Sequence, residues 1–228
     1  MSTAQPVDSE RPSGPRSRKG AQTRTRLLEA AKAVFEESGF LEARISDIAE
    51  RAGLSHGSFY HYFDSKEQIF REVATAVEDE LTAPVDAVIF DPESTAAPRD
   101  RIREGIRRHL VSYREEAPIM GVIEQVSRYD DHVRTMRTEQ RLLSETQIAD
   151  SIRQLQRRGL ADPLLDPTIA IAALGAMTLR FAELWLVEGS HDFDFDDAVE
   201  QLSRLFSNAL GLADGPAASN GRKRKTSK

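Results

Sequence analysis

The stretch ISDIAERAGLSHGSFYHYF, residues 45–63, sets His56, Gly57, Ser58, Tyr60, His61 and Tyr62 among Phe59 and Phe63. So many polar tips do no service in a plain core helix; they suit a helix that packs by one side and offers hydrogen bonds on the other. Ile45, Ile48 and Ala49 form the inner stripe of one short helix. Ala52-Gly53-Leu54 makes a tight turn in which Gly53 takes positive φ at little cost. Ser55 then caps a second helix that turns Phe59 and Phe63 inward. Two helices joined by a three-residue glycine turn make a helix-turn-helix, whose second helix can lie in a DNA major groove about 12 Å wide. Small residues at its leading end let the backbone approach the bases, which accounts for Gly57 and Ser58, poor choices for a helix interior.

Catalysis finds no such pattern. The chain has no G-x-S-x-G, no H-E-x-x-H, no phosphate-cradling glycine loop and no cysteine. Its five histidines (56, 61, 109, 132 and 191) lack metal-ligand spacing. No enzyme, metal or cofactor is expected.

The elements that must hold this stretch are helical. Apolar residues recur at 3.6-residue spacing along much of the 228-residue chain, while alternating runs and hairpin turns are scarce. Leu27, Ala31, Val34, Phe35 and Ser38 mark a first helix closed by Gly39. Short helices follow at 45–51 and 55–62, and a fourth opens at Ser65, where S-x-x-Q to Gln68 spells a capping box. That helix should fade near Pro84, and a loop carries Pro92 and Pro98. Further helices are expected at about 99–116, 118–128 and 131–158. Asp166 before Pro167 starts another that runs to Gly189 and is apolar nearly all round, hence expected to be buried. The last spans about 196–210. The fold class is all-α: an N-terminal three-helix, helix-turn-helix DNA-binding head and a larger C-terminal helical body. The segments are a disordered basic arm at 1–20, the head at 21–68, the body at 69–211 and a disordered basic tail at 212–228.

Charge is divided unevenly. Residues 1–26 hold six Lys and Arg against two acids, a net +4, and residues 212–228 hold five against one, also +4; with −6 overall, the middle carries −14. Both ends could meet phosphate, or could be solvated tails. The same choice stands for Arg16, Arg18 and Lys19, as a minor-groove or phosphate arm or a simple leader. No signal-peptide block or run long enough to span a membrane is evident, so a soluble, cytoplasmic protein is expected.

LLEAAKAVFEESGF, then ISDIAERAGLSHGSFYHYFDSKEQIF, resembles the DNA-binding domain of the TetR family of bacterial transcriptional repressors. The resemblance rests on Gly39-Phe40, Asp47–Ala49, Ala52–Ser55, Phe59–Phe63 and Ser65–Glu67, and runs without gaps over about 22–72. It implies that His56, Ser58 and His61 meet base edges, Gly57 permits close approach, Tyr60 reaches a phosphate and Ser46 touches backbone or base. Lys66, at the start of the next helix, joins its N–H groups on a phosphate. Two positions depart from the pattern. Arg44 stands where a hydroxyl would cap the first motif helix, a loss of about 0.5–2 kcal/mol unless replaced, and could itself reach phosphate. Tyr62 replaces a frequent histidine.

For the body, the resemblance implies a homodimer and an effector site. Ala170, Ala172, Ala173, Gly175 and Ala176, with Ala198, Leu202, Leu205, Phe206 and Leu210 of the last helix, form the expected four-helix interface; ordinary internal packing is the alternative. Effector candidates are His109, Tyr113, Met120, Glu124, Tyr129, Met177, Arg180, Phe181 and Trp185, with Met136 beside them, each equally readable as core. Arg180, inside an apolar stretch, needs a partner: an anionic effector or an interface ion pair. The expected function is a repressor that binds a palindromic double-stranded DNA operator as a homodimer and is released by an apolar or anionic small molecule, with no membrane partner. The rival is a DNA-binding adaptor that acts through protein partners without a ligand.

Overall fold

A computed structural model describes residues 18–89 and 95–212, and every regular element among them is a helix. The chain divides into two compact units, one ending at Ala74 and the other beginning at Thr75. This division falls six residues after the expected boundary at 68/69.

In the first unit, α1 (Arg18–Glu42) is broken at Gly39, whose φ of 70° and ψ of 172° leave the helical region. Helix begins at Arg18, so Arg18, Lys19 and Gly20 belong to α1 and not to an arm; the rest of the expected arm lies outside the described residues. Leu27, Ala31, Val34 and Phe35 are buried as expected, but Ser38 is exposed and Ala30 takes its place inside. Phe70 meets Phe35 edge-on, with ring centroids 5.0 Å apart, and Phe40 at 4.9 Å. This aromatic cluster, with Ile48, Phe59, Phe63 and Ile69, is the core on which the short helices rest.

The helix opened by Ser65 does not fade at Pro84. α4 (Lys66–Ile89) carries that proline inside it. A proline removes one ladder hydrogen bond, yet the residues beyond it have packing to gain. Val85 and Ile89 lie so close to Gly105 that a Cβ there would meet Ile89 Cδ1 at 3.2 Å. Arg101 donates to the carbonyl of Ile89, the last residue of α4. Tertiary contact outweighs local preference here.

The second unit also contains α5 (Pro98–Glu115), α6 (Ala117–Ser127), α7 (Asp131–Arg157), α8 (Pro167–Ala182) and α9 (Phe195–Ala209). Pro92 lies outside the described residues, whereas Pro98 is the first residue of α5. Asp130, Asp166 and Asp194 cap α7, α8 and α9 through side-chain acceptors, each satisfying orphan N–H groups. α8 continues through a π-helical turn, Glu183–Val187, before Gly189. Helix α5 packs on α9, α7 on α8, and α6 on the π turn. The body extends past 211: Leu212 is buried and its carbonyl accepts from Arg99 at 2.6 Å. The tail from 213 onward lies outside the described residues.

Candidate nucleic-acid interface and ligand cavity

In the head, α2 (Ile45–Arg51) starts at Arg44, whose backbone is extended and whose side chain makes no cap hydrogen bond. The missing hydroxyl is not replaced by another side chain of α2's cap; Asp47 in the first turn supplies only favourable charge. Ser46 is turned to its neighbour, with Oγ 3.0 Å from Asp47 Oδ1. Gly53 adopts φ +66°, and a Cβ there would meet the Arg26 guanidinium at 3.0 Å. Arg26 donates to the Ala52 carbonyl, fastening the turn to α1. Sequence reasoning counted Arg26 only as charge, because its target lies 26 residues away.

Helix α3 is His56–Phe59, shorter than the expected 55–62. Ser55 Oγ accepts from the Ser58 N–H at 3.2 Å and contacts Ser58 Oγ at 2.7 Å. Beyond Phe59 the chain continues as hydrogen-bonded turns, with His61 N–H donating to Ser58 O at 3.3 Å and Tyr62 N–H to Phe59 O at 2.9 Å. Gly57 and Ser58 give little intrinsic helix stability, so cap and buried phenylalanines hold this segment. Phe59 and Phe63 are buried, and Ile45 and Leu54 are half-buried. Arg44, Ser46, His56, Gly57, Tyr60 and His61 are exposed; Ser58 and Tyr62 are half-buried. Tyr60 packs its ring edge against His56 and Phe59, at 5.4 Å from each, which stiffens it without hiding it. A Cβ added to Gly57 would meet nothing within 4 Å. Nothing inside the head requires a glycine there.

Lys66 is placed differently from the expectation. Its ammonium donates to the carbonyls of Phe40 at 2.7 Å, Ala43 at 2.9 Å and Leu41 at 3.1 Å, and lies 4.7 Å from the Phe40 ring centroid. An ammonium has three donors, and all three are engaged. Lys66 is a clamp on the segment between α1 and α2, not a free cation for phosphate. Arg24, paired with Glu72 and stacked 4.9 Å from the Phe63 ring, braces the same core.

The second unit contains a cavity of about 880 Å³, walled by α4, α5, α6, α7, α8 and α9. That volume is within the range for small-molecule sites. Of the expected effector residues, His109 and Met120 line it. The others do not. Glu124 instead binds Arg137, which bridges it at 2.7 Å and Glu78 at 2.6 Å. Burial alone would push the Arg137 guanidinium down, but the hydrogen bonds and charges of Glu124 and Glu78 hold it above its ordinary value. Tyr113 is buried, and burial together with the Glu124 carboxylate raises its phenol. Tyr129 is 53% exposed. Met177 packs against the apolar cluster around Ile171 and Leu174, and Met136 also lies off the cavity wall. Phe181 stacks on Phe193 at 5.6 Å, and Trp185 meets the same ring edge-on at 5.9 Å. Arg180 is at the surface, paired with Glu183 at 2.7 Å and Glu188 at 3.0 Å. Its apolar neighbours in sequence are on other sides of the helix.

The dimer candidates also divide. Ala170 faces inward, as do Ala198, Leu202 and Leu210, while Ala172 and Phe206 are half-buried. Gly175 lines the cavity, where an added Cβ would meet nothing within 4 Å. Left outward are Ala173 and Ala176, with Ile169 at 71% and Leu205 at 52% exposure. The helix expected to be buried is therefore mostly uncovered: 22% of its most apolar window is buried, and by length and composition 167–187 would suffice to cross a membrane.

A glycine turn between two short helices, presenting His56, Tyr60 and His61 from an aromatic core, defines a helix-turn-helix DNA-binding protein. Residues 27–73 match the family described as bacterial regulatory proteins, tetR family. Residues 27–73 thus form a DNA-binding domain of that family of transcriptional regulators. It is 38% identical over 73 residues to the uncharacterized HTH-type transcriptional regulator YdgC of Bacillus subtilis, covering 32% of this chain and 37% of that one. It is 33% identical over 124 residues to the HTH-type transcriptional repressor KstR2 of Mycobacterium tuberculosis, covering 50% and 60%. The matches thus span less than two thirds of either relative. In fold, the chain superposes on a TetR-family regulator from Mesorhizobium loti with a TM-score of 0.73 at 20% identity, covering 86% of this chain and 98% of that one.

Proposed function

We propose that this chain is a cytoplasmic repressor that binds a palindromic operator as a homodimer and lets it go when a small molecule fills the cavity of the second unit. Gly57 carries the DNA part of this reading. A glycine in a helix costs about 1 kcal/mol relative to alanine, and open space around it means the fold gains nothing in return. Close approach of an outside partner gives the residue its purpose. Arg44, Ser46, His56, Ser58, Tyr60 and His61 surround it as the DNA-contacting set, with Lys66 positioning them. The uncovered stripe of α8 supports dimerisation, since an exposed apolar surface of that kind favours a partner. A two-fold dimer matches two half-sites about 34–36 Å apart. The ligand acts by population shift, and release by a factor of roughly 5–150 requires about 1–3 kcal/mol of coupling.

Sequencing DNA fragments selected by the purified full chain tests this. Selected fragments should share an inverted repeat. A single unrepeated motif, or no enrichment over random DNA, would overturn it.

A further inference from the structure

His109 is a polar group without a partner in the wall of the cavity. It lies on α5 among Ile102, Gly105, Ile106 and Met120, and its Nε2 makes no hydrogen bond among the described residues. The residue is half-buried with its Nε2 out of reach of solvent, and burial pushes the imidazole down to about 4, so it is neutral at physiological pH. On the facing helix α7, Gln140 donates its amide N–H to Asp79 Oδ1 at 2.7 Å. That bond fixes the amide's orientation and leaves its Oε1 buried without a donor. A buried polar atom left unpaired is costly. Two of them lining one cavity point to a ligand that completes them.

The surrounding charges restrict what that ligand can be. Arg134 is held by Asp131, Arg137 by Glu78 and Glu124, and Arg141 by Glu145, while Arg101 is engaged with the Ile89 carbonyl. Asp86 lines the same cavity and makes no ion pair among the described residues; burial raises its carboxyl. Arg158, the remaining arginine of the lining, is exposed to solvent, so a carboxylate entering deeper would meet a neutral imidazole, an amide oxygen and another carboxylate. An ammonium would find Glu78 and Glu145 already paired with Arg137 and Arg141, and only Asp86 left among the lining acids. A hydroxyl, which both donates and accepts, suits both orphaned atoms.

We propose that the cavity takes an uncharged, mostly apolar ligand bearing hydroxyl groups, recognised by His109 Nε2 and Gln140 Oε1. This rests on the cavity being the effector site, and the experiment separates the two claims. The neutral fluorophore N-phenyl-1-naphthylamine is bound to the full chain and displaced by three matched ten-carbon probes: decan-1-ol, decanoate and decylammonium. Decan-1-ol should displace at concentrations at least tenfold below either ion. In His109→Leu the fluorophore should still bind, while decan-1-ol weakens about ten- to hundredfold, the range for leaving a buried polar partner unmade. His109→Gln, which keeps a polar tip, should lose less. Gly175→Trp should fill the open space beside α8 and abolish fluorophore binding.

Fluorophore binding unchanged in Gly175→Trp would show that the cavity is not the ligand site, and the effector reading itself fails. Binding that is abolished there overturns the present inference alone if decanoate or decylammonium matches decan-1-ol in the wild type. So does decan-1-ol displacement that is the same in His109→Leu as in the wild type. Circular dichroism of each variant distinguishes a lost site from a lost fold.

Discussion

Replacing Lys66 with methionine separates two roles that a lysine at this position could have. Methionine keeps the apolar stem over Phe40 and deletes the ammonium. Three carbonyls then lose a donor: Phe40 and Ala43, which are held in part-buried bonds, and Leu41, whose bond is exposed. Water can replace the ammonium at Leu41, so that loss is small. The other two are each worth about 1–3 kcal/mol when left unmade, and because they share one donor group they do not simply add. A net cost of about 2–4 kcal/mol falls on the first unit, a large share of what a small unit possesses. Hydrogen exchange of the full chain should show lost protection across 45–63, with the second unit unaffected. Operator affinity should fall with it, but its salt dependence should stay the same at a temperature where the head is folded. A phosphate-contacting lysine behaves in the opposite way: protection is kept, and the slope of log affinity against log salt becomes shallower by about 0.9. Full protection with a shallower slope would refute the clamp.

Gly57→Ala should stabilise the head by about 0.5–1 kcal/mol, read as a higher melting temperature, since alanine favours helix and has open space. It should still weaken operator binding; undiminished binding would remove Gly57 from the interface. Ala176→Glu should yield monomers on sedimentation and lower operator affinity, because one head reads a single half-site, whereas Gly175→Trp should remain dimeric. Stability should fall as pH drops from about 6.5 toward about 4, because the unfolded chain protonates His109 near its ordinary 6.5 and the fold resists until about 4. The loss approaches 1.4 kcal/mol per pH unit and totals on the order of 3 kcal/mol. Urea unfolding followed by Trp185, the single tryptophan and in the same unit, should show this slope reduced in His109→Gln.

What could be read from the sequence was what neighbouring residues decide. Ser55, Ser65 and Asp166 announce helix starts because a cap acts across three residues, and all three accept from the expected N–H groups. At Ser65 even the reciprocal bond forms, one residue early: Gln68 Oε1 accepts from Asp64 N–H at 2.6 Å. Gly39 and Gly53 are legible for the same reason, since their positive φ is local. Lys66 was not, because its acceptors are 23 to 26 residues back and become a cluster only when α1 is broken at Gly39. Pro84 misled because the gain that offsets it comes from Gly105 of another helix. The cavity residues were the hardest to read. A cavity is defined by where helices fail to fill space, and soft or aromatic side chains such as Met177, Phe181 and Trp185 are as useful for closing gaps as for lining one.

α8 shows how the two proposed activities of the second unit meet. Its exposed residues Ile169, Ala173, Ala176 and Arg180 recur at steps of four, three and four, a single stripe along the helix. Ile171, Leu174, Gly175 and Thr178 face the cavity. An all-round apolar sequence is thus two apolar faces with different uses, not one buried rod. Arg180 ends the outward stripe, where its pairs with Glu183 and Glu188 keep solvent contact. In the proposed dimer the same rigid helix would have ligand on one side and the partner subunit on the other. Packed interiors respond to added volume by shifting elements, not by compressing. A ligand pressing on Gly175 and Leu174 therefore displaces the surface that Ala173 and Ala176 offer to the partner. The coupling that operator release needs, about 1–3 kcal/mol, is comparable to the cost of one or two overpacked methylenes in a core. No long pathway between cavity and interface is required, because the thickness of one helix separates them.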